Sequence, residues 1–250
     1  VSQAPLLTRM LVLLVMSATP ATAEVLVADT SRRHVAITTG FTGTDVLLFG
    51  AVEGAGDIVV VIRGPAETIV VRRKQRFAGV WANADSVVFQ DAPNFHQLAT
   101  SRPLEEIADP ATLRQLNIGA DNLEFTPAPR DRHRSSLEIA EFRKALVRNK
   151  RTDGLYDTEP APVSIISERL FRTPVYFPAN MATGNYTATI YLFRDGAAVQ
   201  LIEKPIVVQK SGFGAEVYTW AHDRAPLYGA AAIVVAIAAG WLAGVIFRNV

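Results

Sequence analysis

Residues 174–210 read PVYFPANMATGNYTATIYLFRDGAAVQLIEKPIVVQK. A period of two runs through the middle of the stretch. Tyr186, Ala188, Ile190 and Leu192 fall on one side, and Thr187, Thr189 and Tyr191 on the other. That alternation marks a strand with two distinct faces. Asp195-Gly196 then supplies the two-residue turn of a hairpin, and Val, Leu and Ile resume beyond it. Ahead of the alternating run stands Pro-Ala-Asn-x-x-x-Gly-x-Tyr. Such a loop is common in immunoglobulin-like sandwiches, where the tyrosine packs the corner. The stretch therefore predicts strand, loop, strand, turn, strand, as the last strand pair of a sandwich.

Residues 34–89 extend this pattern toward the N-terminus. HVAITTG, TDVLLFG, DIVVVIRG, ETIVVRR and DSVVFQ are short, rich in Val, Ile and Thr, and divided by Gly, Pro or Asp. Their regular spacing predicts a mainly β fold, an immunoglobulin-like antiparallel β-sandwich. The two strand regions are expected to share one sandwich, because the chain between them is poor in apolar residues.

That middle, about residues 93–156, reads as a helical insertion. Asp109-Pro110 offers a cap with proline at the first helical position, and Ser135-x-x-Glu138 is a capping box. Ile139, Phe142 and Leu146 share a face of the helix it opens. Residues 104–124 are acidic apart from Arg114, whereas residues 130–151 carry eight Arg or Lys against three acids. Two solvated helices facing each other would explain the asymmetry. So would a basic face that meets anionic headgroups or an acidic partner.

The two ends are apolar in different ways. Residues 1–23 hold one charge, Arg9, then MLVLLVMSA and Ala21-Thr22-Ala23, the form of a signal peptide. An uncleaved anchor is the other reading, but the apolar run is about half of the roughly 20 residues a span needs. Residues 227–247 lack charge altogether, with Tyr218, Trp220 and Tyr228 at one border, Trp241 near the other and Arg248 just beyond. This predicts a transmembrane helix within residues 225–248 and a short cytoplasmic tail. Residues 24–224 would then be exported, which in a bacterium means the periplasm. Ala232, Ala236, Gly240 and Gly244 form a small-residue line along the helix. It could let another helix pack closely, or the helix could be a passive anchor.

Composition narrows the chemistry. Apolar residues make up 49% of the chain, enough for a core, and the net charge of +1 provides no general attraction to nucleic acid or anionic lipid. There is no cysteine, so disulfides and thiolate sites are excluded. His34, His96, His133 and His222 lack metal-ligand spacing. No nucleophile-elbow, zincin or phosphate-loop motif occurs, and "GAVEGAG" is not followed by a helix pattern. The expectation is a protein that is not an enzyme and needs no cofactor or metal.

One polar cluster stands out. Arg63 ends an apolar strand, and Arg72, Arg73, Lys74 and Arg76 follow another, with Trp81 and Asn83 close behind. Arg72 and Lys74 would share one strand face and Arg73 the other. Such a set could hold a small oxyanion, since Arg is a fork-like donor. Charged residues that block pairing at a sheet edge would look the same. Phe95 and His96 read as the border of the helical insertion.

Taken together, FTGTDVLLFGA, VVVIRGP, VRRKQRFAGVWAN, LFRTPVYFPANMATGNYTATIYLFRDG and the terminal LYGAAA…GW…FR resemble the alphaproteobacterial putative transmembrane protein family. The likeness runs over about residues 25–248. It implies an exported, single-span protein of the inner membrane. It also implies a neighbouring inner-membrane permease of the sulfite-exporter class as partner, and it supplies no catalytic residues to carry over. The expected function is a membrane-anchored periplasmic accessory protein that meets such a permease, or a second copy of itself, through its helix. The alternative is a tethered periplasmic anion-binding module.

Overall fold

Tyr186, Ala188, Ile190 and Leu192 are all buried on one side of their strand, while Tyr191 and Phe193 are buried on the other. The alternation is thus real, but both faces are covered. The computed structural model describes residues 26–77, 79–167, 169–211, 221–222 and 224–247. The signal-peptide reading of residues 1–23, the border aromatics Tyr218 and Trp220, and Arg248 lie outside the described residues.

The chain opens with strands β1 (Leu26–Thr30), β2 (His34–Ile37), β3 (Gly43–Val52) and β4 (Asp57–Arg63). Strands β5 (Ala66–Phe77), β6 (Val80–Pro93) and β7 (His96–Thr100) follow. The middle holds helices α1 (Leu104–Ile107) and α2 (Pro110–Gln115), strand β8 (Thr126–Pro127) and helix α3 (Ser136–Thr152). Then come β9 (Ala161–Pro162), β10 (Ser164–Ile166), β11 (Leu170–Pro178), β12 (Gly184–Arg194), β13 (Ala197–Lys210) and helix α4 (Ala225–Phe247).

The fold is mainly β. One sheet has the order β1-β3-β11-β10 and a second the order β2-β13-β12-β4-β7-β9. Side chains from both sheets, among them Leu48, Phe171 and Phe177 from the first and Ile62, Tyr186 and Ile190 from the second, form one apolar cluster. Strands β1–β4 and β11–β13 therefore contribute to one core. The sheets are not purely antiparallel, however. β2 pairs with β13 and β7 with β9 in parallel. These pairs join distant stretches, and no local turn signal announces them.

The helical segment also differs from the expectation. It begins after Thr100, because His96–Thr100 is a strand of the six-stranded sheet, almost wholly buried beside β4. Ile107, Leu113 and Ile118 then pack on Val59, Val61 and Tyr191, covering the outer face of that sheet. β4 is thereby buried on both faces, which is why it reads as the unbroken run IVVVI rather than as an alternation.

The second correction concerns β5 and β6. They leave the two large sheets and form a separate sheet with β8. Val71, Val87 and Phe89 of this sheet pack on Phe142, Leu146 and Val147 of α3. The middle segment has few apolar residues, but combined with this hairpin it builds a core of its own. Both caps form as expected. Asp109 accepts from the N–H groups of Ala111 and Thr112, and the Ser135 hydroxyl oxygen accepts from the N–H of Glu138.

Candidate functional site

The β5–β6 hairpin collects most of the polar cluster. Arg72 lies opposite Ser86, Lys74 opposite Asn83, and Arg76 opposite Trp81. Directly opposed residues share a face, so Arg72, Lys74, Arg76, Asn83 and Trp81 stand on one side of the hairpin. A bulge makes this possible. The register skips Ala84 between the Arg73–Asp85 and Lys74–Asn83 pairs. Without that extra residue, Trp81 and Asn83 would fall on the other face. Between Glu67 and Asp85 the sequence has no acid, so this face carries positive charge uncompensated within the hairpin. Arg76 donates from Nε to the carbonyl of Gly79 at 3.2 Å, tying its stem to the turn.

Arg73 belongs to the opposite face. Its guanidinium donates to Glu141 Oε2 at 2.7 Å and lies 4.8 Å from the centre of the Phe142 ring. A cleft of about 320 Å³ runs here between β5 and α3, lined by residues 71–74 and by Glu141, Phe142, Ala145 and Arg148. Near it, Arg134 bonds to Asp85 and Glu138 and donates to Asp131 Oδ1 at 3.3 Å. The Asp85 carboxyl is held below its ordinary value by Arg134, and Asp131 is held low first by the N–H of Val88. These pairs fix α3 to the sheet.

Arg63 does not join the cluster. Its Nη2 donates to the carbonyls of Leu116 and Asn117 at 3.2 and 2.8 Å, closing the C-terminal end of α2. An arginine at a strand end looks the same in sequence whether it binds a ligand or a helix terminus. His96 is fully buried, with Nδ1 3.2 Å from Asp157 Oδ1 and Nε2 without a hydrogen-bond partner. Asp157 also accepts from the N–H of Leu98 at 2.8 Å. This pair pins the chain after α3 to β7. Among the described residues, no group of three or more His, Cys, Asp or Glu is placed to hold a metal ion.

Helix α4 is the other candidate surface. Residues Ala225–Ile246 are long and apolar enough to cross a membrane, at about 1.5 Å per residue against a hydrocarbon core of about 30 Å. The span's apolar window is not buried against the rest of the chain. A Cβ at Gly240 or Gly244 would meet nothing within 4 Å. Ala232, Ala236, Gly240 and Gly244 recur at four-residue steps on this open helix.

A family model described as "Putative transmembrane protein (Alph_Pro_TM)" matches residues 25–249. No curated protein matches the chain.

Proposed function

The chain belongs to the putative transmembrane protein family, alphaproteobacterial by name, and from that premise we propose that it is a membrane-anchored accessory protein. Its folded head lies on the periplasmic side of the inner membrane, its C-terminus on the cytoplasmic side, and residues 1–23 direct its export. Through α4 it meets an inner-membrane partner, a permease of the sulfite-exporter class or a second copy of the chain. The observation that carries this reading is the contrast between a head with filled cores and a helix whose apolar window is wholly unburied. Small residues let two helices approach closely in lipid, where packing rather than apolar transfer drives association. We read the head as an immunoglobulin-like variant. Its facing sheets support this, as does Tyr186, whose hydroxyl donates to the carbonyl of Ala182 at 2.7 Å in the manner of a corner tyrosine.

Purification from native membranes in mild detergent, with mass spectrometry of what stays bound, tests the proposal. A polytopic permease or a second copy should come through and be lost with Gly240→Leu and Gly244→Leu. A protein that emerges alone, or a partner unaffected by both substitutions, counts against it.

A second reading is favoured by the acid-free hairpin face. A tethered module could take a small anion between Arg72, Lys74 and Arg76, with Asn83 as a further donor. Sulfite, sulfate or phosphate should then raise the melting temperature of the full chain in detergent, and Arg72→Ala/Lys74→Ala should abolish the rise. No shift with any of the three anions removes this reading.

A further inference from the structure

We propose that the tip of the β5–β6 hairpin is a second membrane contact, which docks on the anionic headgroups of the bilayer that α4 spans. The tip exposes Phe77, Val80 and Trp81 at 58%, 69% and 65% of their surface. The cations Arg72, Lys74 and Arg76 stand behind them with no acid between residues 67 and 85. Apolar and aromatic residues at a tip with a basic collar match the layered chemistry of a membrane interface. Rings and aliphatic groups enter the headgroup boundary, and ammonium and guanidinium groups remain among the phosphates. A charged sheet edge that only blocks unwanted pairing would explain the cations, but not three large apolar side chains held in water beside them.

The topology brings the hairpin to the correct end of the head. β13 is the strand from which the chain runs on to the span, and Val207–Lys210 extend past the register point where Thr187 meets both Pro205 and Arg63. Arg63 ends β4 at this same end, and β5 starts at Ala66. The hairpin therefore springs from the end of the sheet from which the span is reached. The chain from Ser211 to Ala225 can extend about 50 Å at most. The hairpin, at about 3.3 Å per residue, is about 40 Å long. Tether and hairpin thus start from the same end of this sheet, and each is long enough to meet one bilayer.

The absence of cysteine makes the test direct. Val80→Cys places one fluorescent label at the tip. Val199→Cys, exposed near the Asp195–Gly196 turn, places it at the end of the sheet opposite the hairpin's base. The full chain is reconstituted in phosphatidylcholine vesicles with and without about one third phosphatidylglycerol, and headgroup-level spin-labelled lipid is the quencher. In the anionic vesicles the tip label should be quenched at least about twofold more than the control. The excess should vanish in pure phosphatidylcholine and with Arg72→Glu/Lys74→Glu/Arg76→Glu, each charge being worth about fivefold in the docked-to-free ratio. Should that variant misfold by circular dichroism, added salt must remove the excess from the parent chain.

Equal quenching of the two labels in anionic vesicles overturns the proposal. So does excess quenching that survives pure phosphatidylcholine, since headgroup charge would then play no part. A tip label shielded in native membranes but not in vesicles overturns it in favour of a protein partner. A melting shift with inorganic phosphate, without lipid quenching, overturns it in favour of a free anion. None of these outcomes depends on whether α4 retains a partner during purification.

Discussion

Arg134 grips Asp85 with two hydrogen bonds, at 2.7 and 3.0 Å, and so joins the start of α3 to the middle of β6. The same guanidinium donates to the Ser86 carbonyl at 3.1 Å and to Asp131, and it bonds to Glu138. One cation thus separates three carboxylates. Its own ionisation is pushed further upward, chiefly by the bond to Asp85. Arg134→Met should lower the melting temperature far more than Arg33→Met, which removes an exposed pair with Asp29. Asp85→Asn on the Arg134→Met background should restore part of the loss, because fewer like charges then face one another. Thermal melting by circular dichroism in mild detergent reads both effects. Strictly additive losses would contradict the shared role.

Tyr186 is fully buried beside Phe95 and Phe177, with ring centres 5.6 and 5.8 Å away. Burial pushes its ionisation up to about 12, so its hydroxyl remains a donor to Ala182 throughout the ordinary pH range. Tyr186→Phe should cost about 1 kcal/mol, the net worth of a buried hydrogen bond. Tyr186→Ala should cost about 3–5 kcal/mol, since it also leaves a cavity. Denaturant titration of the two variants should show this ratio. A loss for Tyr186→Phe as large as for Tyr186→Ala would mean that the bond, not the packing, dominates.

Gly50 sits where β1 and β11 flank β3. A Cβ there would lie 2.2 Å from the carbonyl oxygen of Val27 and 2.5 Å from the Phe171 ring. The first obstacle is backbone and cannot rotate away. Gly50→Ala should therefore loosen β1, seen as faster amide exchange at Leu26–Thr30. Unchanged protection in β1 would show that the sheet can accommodate the methyl group.

Acid should weaken the head in a defined window. Asp131 is held below its ordinary 3.8 first by the Val88 N–H, against the upward effect of burial, with Arg134 and Arg130 adding to the lowering. A carboxyl depressed in the folded state contributes stability above its unfolded value. That contribution is lost as pH falls through the folded value. Asp57, Asp85 and Asp109 are shifted in the same direction. The melting temperature should hold between about pH 7 and 5 and fall below about pH 4. Asp131→Asn should start lower and fall less steeply. Equal slopes for parent and variant would remove Asp131 from this account.

The parts of the fold legible in the sequence are those set by neighbouring residues. Alternation at 186–192, the Asp195-Gly196 turn, the caps at Asp109 and Ser135 and the apolar run of α4 each carry a local signal. What a buried face packs against carries none. Val60 and Val87 look alike in sequence, yet one lies between the two large sheets and the other under α3. His96–Thr100 falls within the segment that reads as a helical insertion, because its partners, β4 and β9, lie far away in the chain. The candidate site was half legible for the same reason. Alternation separates Arg73 from Arg72 and Lys74, but only the bulge at Ala84 sets Trp81 beside Arg76, and nothing near Arg63 announces its bonds to Leu116 and Asn117.

The sheet beneath α3 has a core distinct from the one between the two large sheets, bridged through Leu155, which packs on both. A polypeptide built this way can open in instalments. If the two cores open separately, amide exchange in β5, β6 and α3 should be faster than in β12 and β13. The most changeable piece of the molecule would then be the one that holds the basic arm, which could be released or stiffened without disturbing the anchor.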